Sequence, residues 1–338
     1  MKKFLVGFVV LLLLGIALAA YFLLAGNTGK QKFLYIASNA PTRQAVMDSL
    51  TQNGFVKSPR LFSFLADRAG YWNHIKPGRY EITPGTNLIN LVRKLRNGQQ
   101  APVKMVITKL RTKKDLARVL GNLFEPDSAS VMAWINNNDS LQQFGVDTNT
   151  VMTLIMPDTY QAYWNSSPEA LLQKLADYQK KYWTPERKAQ AEAQGLNPQQ
   201  AYTLASIVEE ETNATKEKGT IASVYLNRLR RGMPLQADPT VKFALQDFSL
   251  RRIYEKHLLT PSPYNTYRNK GLPPGPICTP SKTTLNAVLT APETSYMYFV
   301  ASPAFDGTHL FSASYPEHLQ KARQYQQALN QLAAKKQP

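Results

Sequence analysis

Cysteine is nearly absent. Cys278 is the one thiol in 338 residues, so neither an intramolecular disulfide nor a cysteine metal cluster can form. Histidine is scarce too. His74, His257, His309 and His318 lie apart without ligand-like spacing, so no metal site and no cofactor are expected. Acidic residues are in short supply: 23 Asp and Glu stand against 40 Lys and Arg, a formal net charge of +17. Such an excess suits nucleic acid, an anionic membrane surface or an acidic polymer. No zinc-finger spacing, phosphate-binding glycine loop or basic zipper accompanies it, so a nucleic-acid partner rests on charge alone and is not expected. Internal repeats and low-complexity runs are also missing. What is present is apolar: 43% of residues are hydrophobic and 19% charged, which excludes a disordered chain.

Long apolar runs are limited to one. Lys2 and Lys3 precede an uncharged stretch from Phe4 to Leu24, whose 21 residues match the thickness of a hydrocarbon core. Ala17-Leu18-Ala19 has the composition of a signal-peptide cleavage site, but Tyr21-Phe22-Leu23-Leu24 carries the apolar stretch past it. The reading is an uncleaved single-pass anchor. Residues 1–3 form a cytoplasmic tip, 4–24 a transmembrane helix and 25–31 a polar linker. The remainder then lies outside the inner (cytoplasmic) membrane, in a periplasmic or other extracytoplasmic space. There the basic charge would work beside anionic lipid or an acidic wall polymer.

The soluble part reads as α+β. Phe33 to Ile36 and Arg79 to Ile82 are expected strands. Pro41 to Asn53, Pro59 to Ala69 and Asn87 to Arg96 are expected helices, the last ended by Asn97-Gly98. Together they make a small module over 32–102. Val103 to Ile107 opens a larger mixed α+β domain over 103–334. Its first part is mainly helical from Thr112 to Gly195, interrupted at Met156 to Tyr160. Further on come a helix after Ser281, a strand pair at Tyr296 to Ala301 and His309 to Ser312, and a last helix capped by Ser314 and Glu317.

Asn197-Pro198 starts a helix that runs to Glu211 or beyond. Leu204, Ile207, Val208 and Glu211 follow i, i+3, i+4, i+7 and share one face. Of three adjacent glutamates, only Glu211 continues the apolar row, and Glu209 and Glu210 are expected on a solvated face. A carboxyl held against apolar surface loses water and its pKa rises, which lets it donate a proton near neutrality. The same spacing also fits a glutamate at a helix end where the apolar face has run out into solvent.

The next helix, from about Thr215 to Arg231, buries Ile221, Val224, Tyr225 and Leu229. Its final arginines read as ordinary cations near a helix C-terminus, while Asn227 is harder to explain that way. Asp238-Pro239-Thr240 reads as an N-cap with proline at the first helical position. Tyr264-Asn265-Thr266-Tyr267 and Gly271-Leu272-Pro273-Pro274-Gly275-Pro276 combine aromatics, amides and stiff backbone, a composition that suits either a polar-ligand cleft or a surface loop.

These segments, in this order, resemble the endolytic murein transglycosylases of the YceG-like family. The resemblance is carried by Ala205-Ser206-Ile207-Val208-Glu209-Glu210-Glu211-Thr212, Val224-Tyr225-Leu226-Asn227-Arg228-Leu229, Leu235-Gln236-Ala237-Asp238-Pro239-Thr240-Val241 and the two loop segments above. Pro157-Asp158-Thr159-Tyr160 is a further match. After Val241 this chain reads Lys242-Phe243-Ala244-Leu245-Gln246, where the family often carries a glycine-containing stretch. The resemblance implies cleavage of the MurNAc–GlcNAc β-1,4 bond within nascent strands, leaving 1,6-anhydro-MurNAc ends, with Glu211 as catalytic residue. It implies Asn227, Gln236, Asp238, Thr240, Tyr264, Asn265, Thr266 and Tyr267 as substrate-binding candidates. It also implies a LysM-like character for 32–102, and glycan strands and peptidoglycan synthases (penicillin-binding proteins) as partners. Two other readings stay open on the residues: a two-carboxylate wall hydrolase, with Asp238 or Asp158 as the second acid, and a membrane-anchored wall-binding scaffold without catalysis.

Overall fold

The computed structural model describes residues 6–15, 21, 26, 28 and 32–335. The fold is α+β with three small two-stranded sheets. Residues 6–15 and 21 are helical, and the large apolar side chains among them are exposed. The rest of the anticipated span 4–24, and the tip 1–3, lie outside the described residues. Among the described residues no helix is long and apolar enough to cross a membrane. Of the expected linker, Thr28 is no free tether: it is buried, bridges to Val56, and its hydroxyl donates to the Thr83 carbonyl.

The chain divides into two compact units. The first comprises residues up to 105 together with 121–127 and 161–167. Strands β1 (Phe33–Ile36) and β2 (Gly78–Glu81) pair antiparallel, with Phe33 opposite Glu81. Helices α1 (Arg43–Gln52), α2 (Pro59–Arg68) and α3 (Leu88–Asn97) complete it. Alternation decides the strand faces: Leu34 and Ile36 enter the core with Val46, Leu50, Phe62 and Leu91, while Tyr35 faces outward. Thr42 and Asn87 cap α1 and α3, and Gly98 ends α3 in the left-handed conformation. The two returning segments are tied in specifically. Glu125 accepts from the Ser38 amide and hydroxyl, and Trp164 meets the outward Tyr35 ring edge-on at 5.0 Å. A boundary drawn once at residue 102 misses both segments.

The second unit holds 106–120, 128–160 and 168 onward. The chain passes between the units within β3 (Val103–Ile107), β4 (Asp158–Ala162) and α4 (Lys113–Leu123). Strand β4 fills the interruption read at Met156 to Tyr160. The other helices of this unit are α5 (Ser128–Ile135), α6 (Asn138–Gln142), α7 (Pro168–Tyr182), α8 (Pro185–Ala193), α9 (Pro198–Glu211), α10 (Lys218–Arg230), α11 (Asp238–Leu245), α12 (Glu255–Leu258), α13 (Lys282–Leu289) and α14 (Tyr315–Lys335). Strands β5 (Tyr298–Ala301) and β6 (His309–Ser312) form the expected antiparallel pair.

Helix α9 is the axis of this unit and packs against α10, α11 and α13. Asn197 and Gln200 form a reciprocal capping box at its start, ahead of Pro198. Every residue from Ala201 to Val208 is buried. The one-face stripe expected for this helix is therefore too narrow: α9 is covered all round, as a central helix must be. Its polar members are satisfied internally, Ser206 accepting from the Ile277 amide and donating to the Thr203 carbonyl.

Candidate active site

Helix α9 ends on Glu209, Glu210 and Glu211, three carboxylates at the negative end of a helix dipole. Such an end needs compensation, and two of the three receive it. Glu209 accepts from Lys218 at 2.9 Å, from Ser281 at 3.0 Å and from Thr284. Burial pushes its carboxyl up, but hydrogen bonds from Thr284 and Lys218 outweigh this and hold it below the usual glutamate value. Glu210 lies between Lys109 at 2.8 Å and Arg111 at 3.0 Å. Burial again raises its carboxyl, and the bonds from Lys109 and Arg111 bring it down. The solvated face expected for these two is not found. They are ion-paired anchors, Glu209 to Lys218 and Glu210 to Lys109 and Arg111, whose segment is tied by Thr279 bonding the Leu110 amide and the Thr108 carbonyl.

Glu211 differs. Its Oε1 accepts a 2.5 Å hydrogen bond from the Tyr225 hydroxyl, and it forms no ion pair among the described residues. Loss of water pushes its carboxyl up to about 7. The Tyr225 bond opposes that shift, the Asp238 charge adds to it, and the charges of Lys242 and Arg228 oppose it to a smaller extent. Tyr225 is 2% exposed, and burial beside the Glu211 carboxyl pushes its phenol well above the ordinary range, so it stays a donor.

The surroundings are built by Arg228, one turn along α10 from Tyr225. Its buried guanidinium donates to the carbonyls of Met297, Leu235 and Pro234 and to Gln236 Oε1, and stands 5.2 Å from the Tyr298 ring centre. Ordinary helix-end chemistry does not describe this arginine. It fixes the turn in which Gln236 adopts φ 54°, a left-handed backbone rare outside glycine and typical of constrained sites. Sequence periodicity placed Tyr225 in the core but gave no sign that its hydroxyl meets Glu211. Nothing local marked Arg228.

The remaining candidates separate into two groups. Thr240, Asn265 and Thr266 are fully buried. The Thr240 and Thr266 hydroxyls pair at 2.8 Å, Thr266 also accepts from the Ala237 amide, and Asn265 donates to the Leu258 and Thr260 carbonyls. Asn227 donates to the Thr294 and Tyr296 carbonyls. These four shape the loops; Thr240, Asn265 and Thr266 are not presented to a ligand, while Asn227 is half-buried. Gln236, Asp238, Tyr264 and Tyr267 keep accessible surface. Asp238 is not the N-cap expected of it: the helix cap is Ala237, and the Asp238 carboxylate accepts from the Tyr267 hydroxyl at 2.6 Å. Asp158 bonds Lys282 and Tyr178, and those bonds hold its carboxyl down at about 2. Where the family often has glycine, Gln246 ends α11 with φ 55°.

The fold and site thus define an α+β protein with a half-buried carboxyl, raised to near neutrality and without an ion pair among the described residues, at the end of its central helix. The family described as YceG-like matches residues 34–324, and the chain belongs to that family. A protein of Bacillus subtilis (strain 168) named endolytic murein transglycosylase is 27% identical over 305 residues, 85% of this chain and 83% of that protein. One of the same name from Streptococcus pneumoniae (strain D39) is 25% identical, and the match covers 89% of this chain but only 61% of that longer protein. Among solved structures, a YceG-like protein from Listeria monocytogenes superposes with a TM-score of 0.55 at 25% identity, covering 85% of this chain and 97% of the other.

Proposed function

We propose that this chain is an endolytic murein transglycosylase, a lyase that cleaves the MurNAc–GlcNAc β-1,4 bond inside nascent peptidoglycan strands, with Glu211 as its catalytic acid and base. The observation that carries the assignment is the contrast within one glutamate triplet: Glu209 and Glu210 are ion-paired and held below the usual glutamate value, whereas half-buried Glu211 forms no ion pair among the described residues, accepts from the Tyr225 hydroxyl and is pushed up to about 7. A carboxyl near half-protonation at neutral pH can serve as acid and as base in turn. Protonated Glu211 gives its proton to the glycosidic oxygen as the C1–O bond breaks. The resulting carboxylate takes the proton of the C6 hydroxyl of the same MurNAc, whose oxygen bonds to C1. The glutamate ends protonated as it began, and the product is a 1,6-anhydro end with no water added.

A two-carboxylate hydrolase needs a second acid at a defined separation. Asp158 is tied to Lys282 and Tyr178, and Asp238 to Tyr267, which favours the one-carboxylate route. Product mass separates the two, since hydrolysis adds one water per cut. Glu211→Gln is the decisive variant. Its strand cleavage should fall by about 10²–10⁴-fold, the usual contribution of a positioned acid–base group, with the fold retained. A folded Glu211→Gln protein that cleaves at the normal rate refutes the assignment.

The setting belongs to the same reading. The exposed apolar side chains of residues 6–15 support a single-pass anchor in the cytoplasmic membrane, with the enzyme outside it. The 32–102 module is read as LysM-like and in contact with wall glycan, and peptidoglycan synthases as the partners whose strands are cut. Extraction of the full chain from membranes by carbonate wash, without detergent, would argue against the anchor.

A further inference from the structure

A cavity of about 160 Å³ is lined in part by Arg111, the partner of Glu210, and by Lys113, Lys114, Asn149, Phe243 and Tyr264. Lys109, Arg111, Lys113 and Lys114 outnumber the carboxylates that act on them, Glu210 and Asp147. Lys109 and Arg111 share one carboxylate, Glu210. The Lys113 ammonium is held by neutral oxygens, Asn136 Oδ1 at 2.6 Å and the Thr148 carbonyl at 3.0 Å. The Asp147 charge acts on Lys113 without an ion pair between them among the described residues, and its Oδ1 accepts from the Asn149 and Thr150 amides and the Thr150 hydroxyl. Lys114 is exposed and forms no hydrogen bond or ion pair among the described residues. The Phe243 and Tyr264 rings, which also line the cavity, pack at 4.7 Å and give it an apolar wall. The wall is held rigidly: a side chain at Gly275 would meet the Asn149 carbonyl at 2.1 Å, so only glycine lets these two loops close.

The cavity is coupled to the site through two segments. Helix α11 carries Asp238 at the Glu211 end and Phe243 at the cavity, about 8 Å further along its axis. Tyr267 and Tyr264 repeat the arrangement on the facing loop. The sugar backbone of murein is uncharged and offers hydroxyls and acetamides. The peptide hanging from its muramic acid carries carboxylates, and two to three extended residues span about 8 Å.

We propose that this cavity binds a carboxylate of the glycan-linked peptide, so that the enzyme selects strands still bearing acidic peptides. The proposal rests on the murein reading of the neighbouring site, and the test separates the two. The cleavage-impaired Glu211→Gln chain is titrated with GlcNAc–MurNAc–tetrapeptide and with the same compound after its peptide carboxylates are converted to amides. The acid form should bind at least about tenfold more tightly, the size of one charge-assisted hydrogen bond. That advantage should vanish in Lys113→Gln/Lys114→Gln and, should that pair not fold, in Lys114→Glu. Equal affinity for the two compounds, or an advantage that survives in the folded lysine variants, overturns the proposal. Wild-type cleavage of strands without any such preference leaves the lyase reading standing and removes the peptide subsite. The preference without any strand cleavage by the wild type does the reverse.

Discussion

At the scale of the residue, the chemistry turns on what each carboxylate is denied. Glu211 is partly stripped of water and forms no ion pair among the described residues, so folding disfavours its ionisation. Its folded pKa of about 7 exceeds the ordinary glutamate value, so between roughly pH 4.5 and 7 the folded state holds more protons than the unfolded state. Stability from this group therefore falls as pH rises through that window, by about 1–3 kcal/mol. Glu211→Gln should consequently melt higher than the parent at pH 8 and no higher at pH 4, a comparison that calorimetry settles. Tyr225→Phe bears on the same group from the other side. The lost hydrogen bond had favoured the carboxylate, so the Glu211 pKa should rise further and the alkaline limb of the cleavage profile should move to higher pH. An unmoved limb would mean that the limb reports another group.

At the scale of the element, α9 carries one functional end and eleven preceding residues that hold it still. Its triplet works because its first two members are anchored: Glu209 to Lys218 on α10 and to Thr284 on α13, Glu210 to the segment before α4. Lys218 is 6% exposed, and removing one partner of a buried pair strands the other charge. Lys218→Met should cost about 3–5 kcal/mol in urea unfolding. Much of this element was legible beforehand. Its start was marked by Asn197-Pro198, while its end was left at Glu211 or beyond. The environment of Glu209 and Glu210 was not legible, because Lys109, Arg111 and Thr284 come from segments far away in the chain and no helical period reports them.

At the scale of the whole molecule, the first unit is assembled from three stretches of chain. The 121–127 and 161–167 returns contribute Glu125 and Trp164, which meet Ser38 and Tyr35. Trp164→Ala should lower the stability of this unit by about 1 kcal/mol or more, the worth of an edge-on aromatic pair beyond its buried area. A chain with unchanged denaturant midpoint would show that the returns are incidental to it.

The sequence by itself determined the α+β class, most element positions, the helix starts at Asn197-Pro198 and Ser281, and Glu211 as the candidate among its neighbours. These rest on local chemistry: helical and strand periods, proline and glycine punctuation, and short polar caps. Its ordered motifs also carried the family. Only the tertiary structure decided what those motif residues do. It assigned Thr240, Asn265 and Thr266 to loop scaffolding, gave Tyr225 the bond to Glu211, and buried Arg228 as the clamp of the site. The reason is physical: a side chain's protonation and accessibility are set by what surrounds it in space, and around Glu211 those surroundings come from α10, α11 and the Tyr264–Tyr267 loop at once.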